Sequence, residues 1–323
     1  MHAPAVIAYC RKIIDTAPRA FARRGACRSA SRRLLRLALS GMLVLSWSVA
    51  AHAEWLLDVD AGGRYDSNLT RAQERPDIRG DAAATLFASA GTFFALTGAD
   101  GLTLDINALT EAWHRFHGLN RASIGGSASY KHKFGLGYAA PWMSLGLAGS
   151  HDNYRGAIRD SDSLEARAEL GQRFNEAFDA SVGAVFDQRY ARNDLPVVPG
   201  ISGRVFDVRG KSAFVRAGYA LTEQLQAGAN FAVRRGDVVS TTRRHLEIFL
   251  ESDAIAADPA FGDDFFAYRL RGTSTTRTAA VTLSWALSDR SSLNFRYADE
   301  RTSAYEGLDY RGRSAALSFA FSY

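Results

Sequence analysis

The last eleven residues of the chain, "RSAALSFAFSY" (313–323), alternate between large apolar and small side chains in steps of two. Side chains of a β-strand point alternately to opposite faces, so Ala315, Leu317, Phe319, Phe321 and Tyr323 share one face of a predicted strand. Alanine and serine occupy the other face. The chain stops directly after this strand, and we therefore expect its free edge to pair with another strand.

The same two-residue alternation recurs along most of the chain. Twelve apolar stripes begin near residues 55, 86, 102, 124, 143, 164, 180, 213, 225, 279, 293 and 315. A strand needs about 9–11 residues to cross a bilayer, whereas strands of soluble sheets average roughly 5–6 residues. The length of the stripes therefore favours a membrane barrel over a secreted β-sandwich, the alternative that also predicts alternation.

The connections between the stripes alternate in length. Short turns such as 97–101 and 288–291 lie between longer segments such as 67–80, 191–206 and 236–264. All prolines beyond the N-terminal region fall in these connections, as expected if every strand is hydrogen-bonded on both edges. We therefore predict an all-β fold, a 12-stranded antiparallel up-and-down transmembrane β-barrel with short periplasmic turns and longer extracellular loops.

The N-terminal region is typical of a secretory signal peptide. Residues 1–33 contain eight basic residues and a single acid, Asp15, and an apolar run then ends at Ala51-His52-Ala53. We expect cleavage before Glu54, so that residues 1–53 are removed and residues 54–323 form the barrel. The predicted location is the outer membrane of a Gram-negative cell envelope.

Removing this leader changes the charge of the protein. The leader holds 9 of the 39 lysines and arginines and 1 of the 34 acids, so the remainder has 30 bases, 33 acids and a net charge of −3. A basic surface for nucleic acid is therefore not expected. Both cysteines, Cys10 and Cys27, lie in the leader, which excludes disulfides, thiolate metal sites and a cysteine nucleophile from the barrel.

The face opposite the apolar stripes is densely charged, with bases and acids in nearly equal number, so it predicts no strong ion preference. Its charges either line an aqueous path or form a lattice of ion pairs that packs the lumen. Twelve strands lie between the roughly 8 that leave a filled interior and the 16 or more that leave a wide channel, so a narrow pore is expected. The predicted lumen-lining residues are Arg64, Asp105, Glu111, Arg115, Lys131, Lys133, Glu165, Arg167, Glu169, Arg173, Asp187, Arg189, Arg216, Arg234 and Arg296.

The segment 236–264 is the predicted gate. We favour a tall hairpin that extends two neighbouring strands, over the alternative of a helix and loop folded across the mouth. Its acids, among them Asp253 and Asp258, have the chemistry for calcium, but a solvated acidic loop is favoured. No metal and no cofactor are therefore predicted.

An enzymatic function is not predicted. Barrels that hydrolyse lipids carry a His-x-Ser pair near the outer rim, where histidine activates the serine. The nearest candidate is His151, which is followed two positions later by Asn153.

Two short motifs resemble those of known barrel families. The segment "GGRYDSNLTRA" (62–72), with Tyr65-Asp66-Ser67-Asn68, resembles the end of the first strand in barrels linked to surface-lipoprotein assembly and exopolysaccharide export. The C-terminal pattern of Leu317, Phe319, Phe321 and Tyr323 resembles the signal that the barrel assembly machinery reads, which implies that machinery as a partner.

The leading functional hypothesis is a narrow channel for passive diffusion of small polar or charged solutes. An accessory barrel for export or surface assembly of polysaccharide or lipoprotein is second, and a lipid-modifying enzyme is third. The expected partners are outer-membrane lipid and lipopolysaccharide, the assembly machinery and the small-molecule solute.

Overall fold

The computed structural model describes residues 53–304 and 308–323. The predicted leader therefore lies outside the described residues except for Ala53, and its cleavage stays a prediction. No helix in the described part of the chain is long and apolar enough to span a membrane.

Thirteen β-strands and one short α-helix, α1 (Leu246–Leu250), make up nearly all regular structure in the described residues. The strands are β1 (Ala53–Asp66), β2 (Asp81–Ala95), β3 (Asp100–Trp113), β4 (Arg121–Lys133), β5 (Trp142–Tyr154), β6 (Ser161–Arg173), β7 (Phe178–Ala191), β8 (Val208–Ala220), β9 (Leu225–Thr242), β10 (Ala254–Ala257), β11 (Phe266–Ser288), β12 (Ser291–Ser303) and β13 (Asp309–Ser322).

Twelve of these strands form a closed ring, which confirms the predicted barrel. Every ring strand pairs antiparallel with its neighbours, and β13 closes on β1 through pairs such as Phe319 with Ala61. The short strand β10 lies outside the ring, pairs with the outer end of β11 and forms a single parallel bridge between Ala254 and Ser202. The closed ring leaves no strand edge unpaired in lipid, which offers backbone groups no partner.

The apolar stripes face outward. Ile106, Ile124 and Leu147 lie near the middle of their strands, and 61–68% of each is exposed. A soluble protein would bury such residues. Together with the exposed Phe231, Val281 and Leu317 on other strands, they form an apolar belt around the barrel, as a lipid-facing surface requires.

Strands β9 and β11 rise above the rest of the barrel. Their pairing continues to Thr242 and Phe266, and the register shifts between Leu270 and Ser274. Gly272 in this bulge has φ of 73°, a conformation that suits glycine. Such a bulge bends a strand. The predicted hairpin extension is therefore present, and its tip, with α1 and β10, also folds toward the mouth, as the alternative proposed.

The three clusters of buried apolar side chains all lie at the outer end of the barrel. The segment 236–270 contributes to each of them, with Val239 and Ala267 in one, Phe261 and Phe265 in the second, and Ile255 in the third. We call this segment, together with loops 67–80, 114–120, 155–160 and 192–207, the outer cap. The cap is built like a small soluble protein on top of a membrane barrel.

Candidate functional site: the lumen and its outer cap

The two sides of the lumen wall differ in side-chain size. Strands β6 to β8 point the large side chains Arg167, Glu169, Phe214 and Arg216 inward at mid-barrel, whereas many small side chains line the inner faces of β9, β11 and β13. The small ones are Gly228, Ala280, Thr282, Ser284, Ala316 and Ser318. A cavity of about 390 Å³ lies against this small-residue wall. It is of the size that accepts a small molecule.

Charges of both signs line this cavity. A row of ion pairs crosses its outer part, in which Arg64 Nη1 lies 2.8 Å from Glu111 Oε1. Arg121 lies 3.7 Å from both Glu111 and Asp152 and is 8% exposed. The strand spacing explains the row, because Arg64, Glu111, Arg121 and Asp152 belong to β1, β3, β4 and β5 at similar heights.

A second group of charges lies at mid-barrel around Glu169. Its carboxylate accepts hydrogen bonds from Ser181 Oγ at 2.6 Å and from Arg167 Nη2 at 3.1 Å. Arg216 Nη1 lies 4.0 Å away. Both guanidinium groups also stack on the ring of Phe214, at 4.4 and 4.8 Å. Two cations therefore share this acid.

Other predicted lumen residues lie in this middle and outer part of the barrel. Asp187 accepts hydrogen bonds from Arg234 at 2.6 and 3.0 Å, and Asp105 accepts one from Ser127 at 2.6 Å. Glu165 is opposite Asp187 in the sheet register, and Arg296 lines the cavity.

The remaining predicted lumen residues lie at the two ends. Lys131, Lys133 and Arg173 are at the turn end of the barrel, where Lys131 stacks on Trp142 at 4.7 Å and Arg173 on Tyr138 at 4.5 Å. Arg189 is 3% exposed and donates to Ser161 and to the Arg159 carbonyl at the outer end.

Arg115 does not belong to the lumen-lining set in which it was predicted. It lies beyond the end of β3 and donates to Asp81 and Gly80 at the outer rim, with 63% of its side chain exposed. Alternation placed it inward, but strand pairing of its chain segment ends at Trp113, so the parity argument no longer applies.

Sequence reasoning missed the inward aromatic residues Trp113, Trp142 and Phe214. Each is buried. A glycine on the next strand makes room for two of them, because a Cβ at Gly171 would lie 2.3 Å from the Trp142 ring and one at Gly183 would lie 2.4 Å from Phe214. An aromatic residue at polar parity, opposite a glycine, is the signal that could have revealed them.

Arg121 and Asp152 were missed for a simpler reason. The fourth apolar stripe begins near residue 124, whereas β4 already begins at Arg121, which continues the inward parity of Lys131 and Lys133 by steps of two. Extending the parity to the end of the strand would have identified it.

The outer cap closes over the mouth of the barrel. Thr241 N donates to Thr70 O at 2.8 Å, and Ile255 N donates to Ser202 O at 2.8 Å, which ties the β9–β11 hairpin to two other loops. Phe261 packs on Phe116 with ring centroids 5.0 Å apart. Contacts thus reach loops that emerge from opposite sides of the ring.

A buried ion pair holds the centre of the cap. Arg159 donates to Asp258 through two hydrogen bonds of 2.7 and 2.5 Å, and Asp258 is completely buried. The Arg159 guanidinium also stacks on Phe206 at 4.8 Å. A bidentate pair of this kind is geometrically specific, so it positions the hairpin tip over the loop between β5 and β6.

Three acids of the segment 236–264 are paired with arginines. Asp253 is bound by Arg269 and Arg271, Asp258 by Arg159, and Asp264 by Arg243 at 2.7 Å. Glu251 and Asp263, two further acids of the segment, are exposed. Among residues 53–304 and 308–323 there is no group of three or more His, Cys, Asp or Glu placed to hold a metal ion.

The YDSN segment forms a hydrogen-bonded corner at the outer end of β1. Asn68 is fully buried and donates to the carbonyls of Ala72 and Arg311 at 2.9 and 3.1 Å, while Asp66 binds Arg71 at 3.0 Å. Burial of the Arg71 guanidinium lowers its pKa, but the charges of Glu300 and Asp66 outweigh this effect and raise the pKa overall. These contacts join the first outer loop to β12 and β13.

His151, the histidine considered for catalysis, has charged partners at the outer rim. His151 Nδ1 lies 2.6 Å from Asp162, and Arg192 donates to its Nε2 at 3.0 Å. No serine or threonine hydroxyl is hydrogen-bonded to a histidine ring within the described ranges. The geometry that would support a lipid hydrolase is therefore not found there.

The C-terminal aromatic pattern lies on the lipid face. Leu317, Phe319, Phe321 and Tyr323 are 40–72% exposed and follow the outward parity of β13. Their role as an assembly signal stays a prediction.

Comparison with known proteins agrees with this architecture. No protein-family model matches the sequence, and no curated protein matches it. An outer membrane channel from Pseudomonas putida F1 has a similar structure, with a TM-score of 0.54 and 11% identity over 85% of this chain and 97% of the other. The NanC porin aligns over 81% of this chain and 98% of its own, with 10% identity and a TM-score of 0.45. The likeness to the Pseudomonas putida F1 channel is a likeness of fold, that of a closed β-barrel.

Proposed function

We propose that the protein is an outer-membrane channel for passive diffusion of small polar or charged solutes, and that the outer cap limits access to its lumen. The observation that carries this proposal is the cavity of about 390 Å³, lined by charges of both signs inside a closed lipid-facing barrel. Asp60, Arg64, Arg216 and Arg296 all face this open space. If the charges served only to pack the lumen, such a shared cavity would not be needed. The similar channel from Pseudomonas putida F1 supports the same assignment at the level of fold.

The size of the cavity restricts the solute. A lumen of this volume, bounded on one side by large charged side chains, accepts a small molecule rather than a folded chain or a long polymer. This favours diffusion over an accessory role in export. The predicted signal peptide, the assembly machinery and the lipid partners are part of the proposal, since an outer-membrane barrel must be exported and inserted.

The test is single-channel conductance of the protein, purified from membranes and inserted in a planar bilayer. We expect discrete steps of small conductance. Glu169→Ala removes the acid that Arg167 and Arg216 share, so the selectivity should shift several-fold toward anions. Arg216→Ala should shift the selectivity toward cations, because the carboxylate of Glu169 is then balanced by one arginine fewer. Glu223→Ala, in an exposed turn, is the control for loss of one acid.

A barrel that is folded but silent, both intact and after its cap has been loosened, would contradict the channel. Selectivity that does not respond to Glu169→Ala would contradict the assignment of mid-barrel as the conducting path.

A further inference from the structure

The outward face of the barrel carries a band of cations on the strands from β8 to β13. Six exposed residues, Lys211, Arg235, Arg277, Arg301, Arg311 and Arg313, follow the outward parity of β8, β9, β11, β12 and β13 at their outer ends. We call them the cation band. They stand directly above the apolar belt, since Arg235 follows Phe231 and Val233 on the same face of β9.

The cations of the band are direct neighbours across the strands. Arg277 is paired with Arg301, Arg301 with Arg311, and Lys211 with Arg235. Directly opposed side chains have Cβ atoms about 4.5–5.5 Å apart, and like charges in that position are destabilising. Such a row is unfavourable unless an anion lies across it.

The acids of the described residues neutralise the band only in part. Asp299 is bound to Arg311 and lies 3.7 Å from Arg301, and Asp309 is the other outward acid on these strands. Lys211, Arg235 and Arg277 have no carboxylate within ion-pairing distance in the part of the chain that the structure describes.

The other side of the barrel is different. Within β1 to β7 the outward residues near the outer ends include no lysine or arginine, and are residues such as Tyr65, Ala82, Ala122 and Tyr190. The cations at that part of the rim lie just beyond the strand ends, where Arg155 follows β5, and Arg192 follows β7 and donates to His151 and Asn153. The concentration of directly opposed outward cations on β8 to β13 points to a localised ligand.

We propose that the cation band binds the phosphate groups of a lipid headgroup in the outer leaflet, the chemistry that lipopolysaccharide presents. Three observations support a lipid as the source of the phosphate. The band adjoins the apolar belt, where acyl chains pack. It lies at the level at which headgroups stand. It consists mainly of arginine, whose guanidinium group binds phosphate through two hydrogen bonds. The inference depends on placement of the barrel in the outer membrane and not on conduction.

The experiment measures lipid binding to the purified full-length protein in detergent by native mass spectrometry, with bis-phosphorylated lipid A as the probe. We expect Arg277→Gln/Arg301→Gln/Arg311→Gln to bind it at least tenfold more weakly than the unaltered protein. Dephosphorylated lipid A should also bind at least tenfold more weakly to the unaltered protein. The triple substitution to lysine, which keeps the charge but removes bidentate binding, should lie between the two.

The matched control is Arg75→Gln/Arg155→Gln/Arg290→Gln, which removes three exposed cations outside the band and should leave binding unchanged. Equal binding by both triple variants would overturn the proposal, whether both retain lipid A or both lose it. Displacement of lipid A by inorganic phosphate at equal concentration would overturn the lipid as the source.

Folding is checked by the heat-dependent migration that barrels show on gels. If the triple glutamine variant of Arg277, Arg301 and Arg311 does not fold, Lys211→Gln/Arg235→Gln tests the proposal instead. It removes the paired cations on β8 and β9. We expect at least threefold weaker binding from it, and undiminished binding would overturn the proposal. Conductance measured in parallel should be unaffected in every variant, so failure of this inference is distinguishable from failure of the channel.

Discussion

The barrel and the outer cap bury opposite kinds of side chain. In the barrel, apolar residues such as Leu147 point outward and acids such as Glu169 point inward, whereas the cap buries Phe265 and Val205. One chain follows both rules because the surrounding medium changes along the strands. Lipid accepts apolar surface and rejects backbone polar groups, while water drives apolar side chains together. The boundary between the two rules lies where β9 and β11 rise above their neighbours.

The largest expected effect on the comparison between barrel and cap comes from breaking the buried ion pair of the cap. Asp258→Ala leaves the Arg159 guanidinium buried without its carboxylate, which costs about 3–5 kcal/mol. We expect the cap to loosen while the barrel stays folded. Limited proteolysis should cut the segment 236–264 faster, and single-channel conductance should rise.

The control for this change is Asp263→Ala, which removes an exposed acid five positions later. It should alter neither proteolysis nor conductance. Loss of the whole barrel in Asp258→Ala would show that cap and barrel fold as one unit, against the comparison.

The second test places the same substitution in both regions. Leu147 on β5 and Leu246 in α1 are similarly exposed, at 61% and 71%. Leu147→Arg brings a charge to the middle of the apolar belt and should lower the free energy of unfolding in lipid vesicles by about 2–4 kcal/mol. Leu246→Arg meets water and should change it by less than about 0.5 kcal/mol.

Denaturant titration of both variants in the same vesicles gives the comparison. Equal values would mean that Leu147 does not face lipid, and the apolar belt would have to be reassigned.

The smallest effect concerns packing inside the lumen. A Cβ at Gly183 would lie 2.4 Å from the Phe214 ring and 2.5 Å from the Ala168 carbonyl oxygen. Gly183→Ala therefore forces a shift of the backbone or the ring, and we expect it to destabilise the barrel by about 1–3 kcal/mol. Gly98→Ala, in an exposed turn where a Cβ would meet nothing within 4 Å, is the matched control.

Thermal unfolding of the two glycine variants separates them. If both lose stability equally, the close fit of Phe214 to Gly183 would not be the cause, because a Cβ at Gly98 meets no neighbour.

Much of the barrel could be predicted, because its signal is local. Alternation identifies a strand and its lipid face without knowledge of any contact, and that is why twelve strands and their outward residues such as Ile124 were recovered. The limit of the argument is the strand end. Arg115 lies two residues beyond the end of β3, so its parity does not place it in the lumen. Arg121 was left out of β4, although β4 begins with it. Both errors arise because the end of strand pairing depends on the neighbouring strand.

The candidate site was predictable in part for the same reason. Parity placed Arg167, Glu169 and Asp187 on the inner face. It could not show that Asp187 pairs with Arg234 or that Glu169 serves two cations, since these contacts depend on the register of β6 to β9. Nor could it identify the inward aromatics, which break the polar pattern and are accommodated by glycines of the adjacent strand.

The sequence by itself determined that this chain is a membrane barrel, because a period of two in hydrophobicity is a property of each strand alone. The tertiary structure decided how the barrel is closed at its mouth. Arg159 and Asp258 are 99 residues apart in sequence, and no local pattern relates them. They meet because ring closure brings the loop after β5 under the tip of the β9–β11 hairpin. The cap arises from such contacts between distant loops, and the lumen from the closure of β13 on β1.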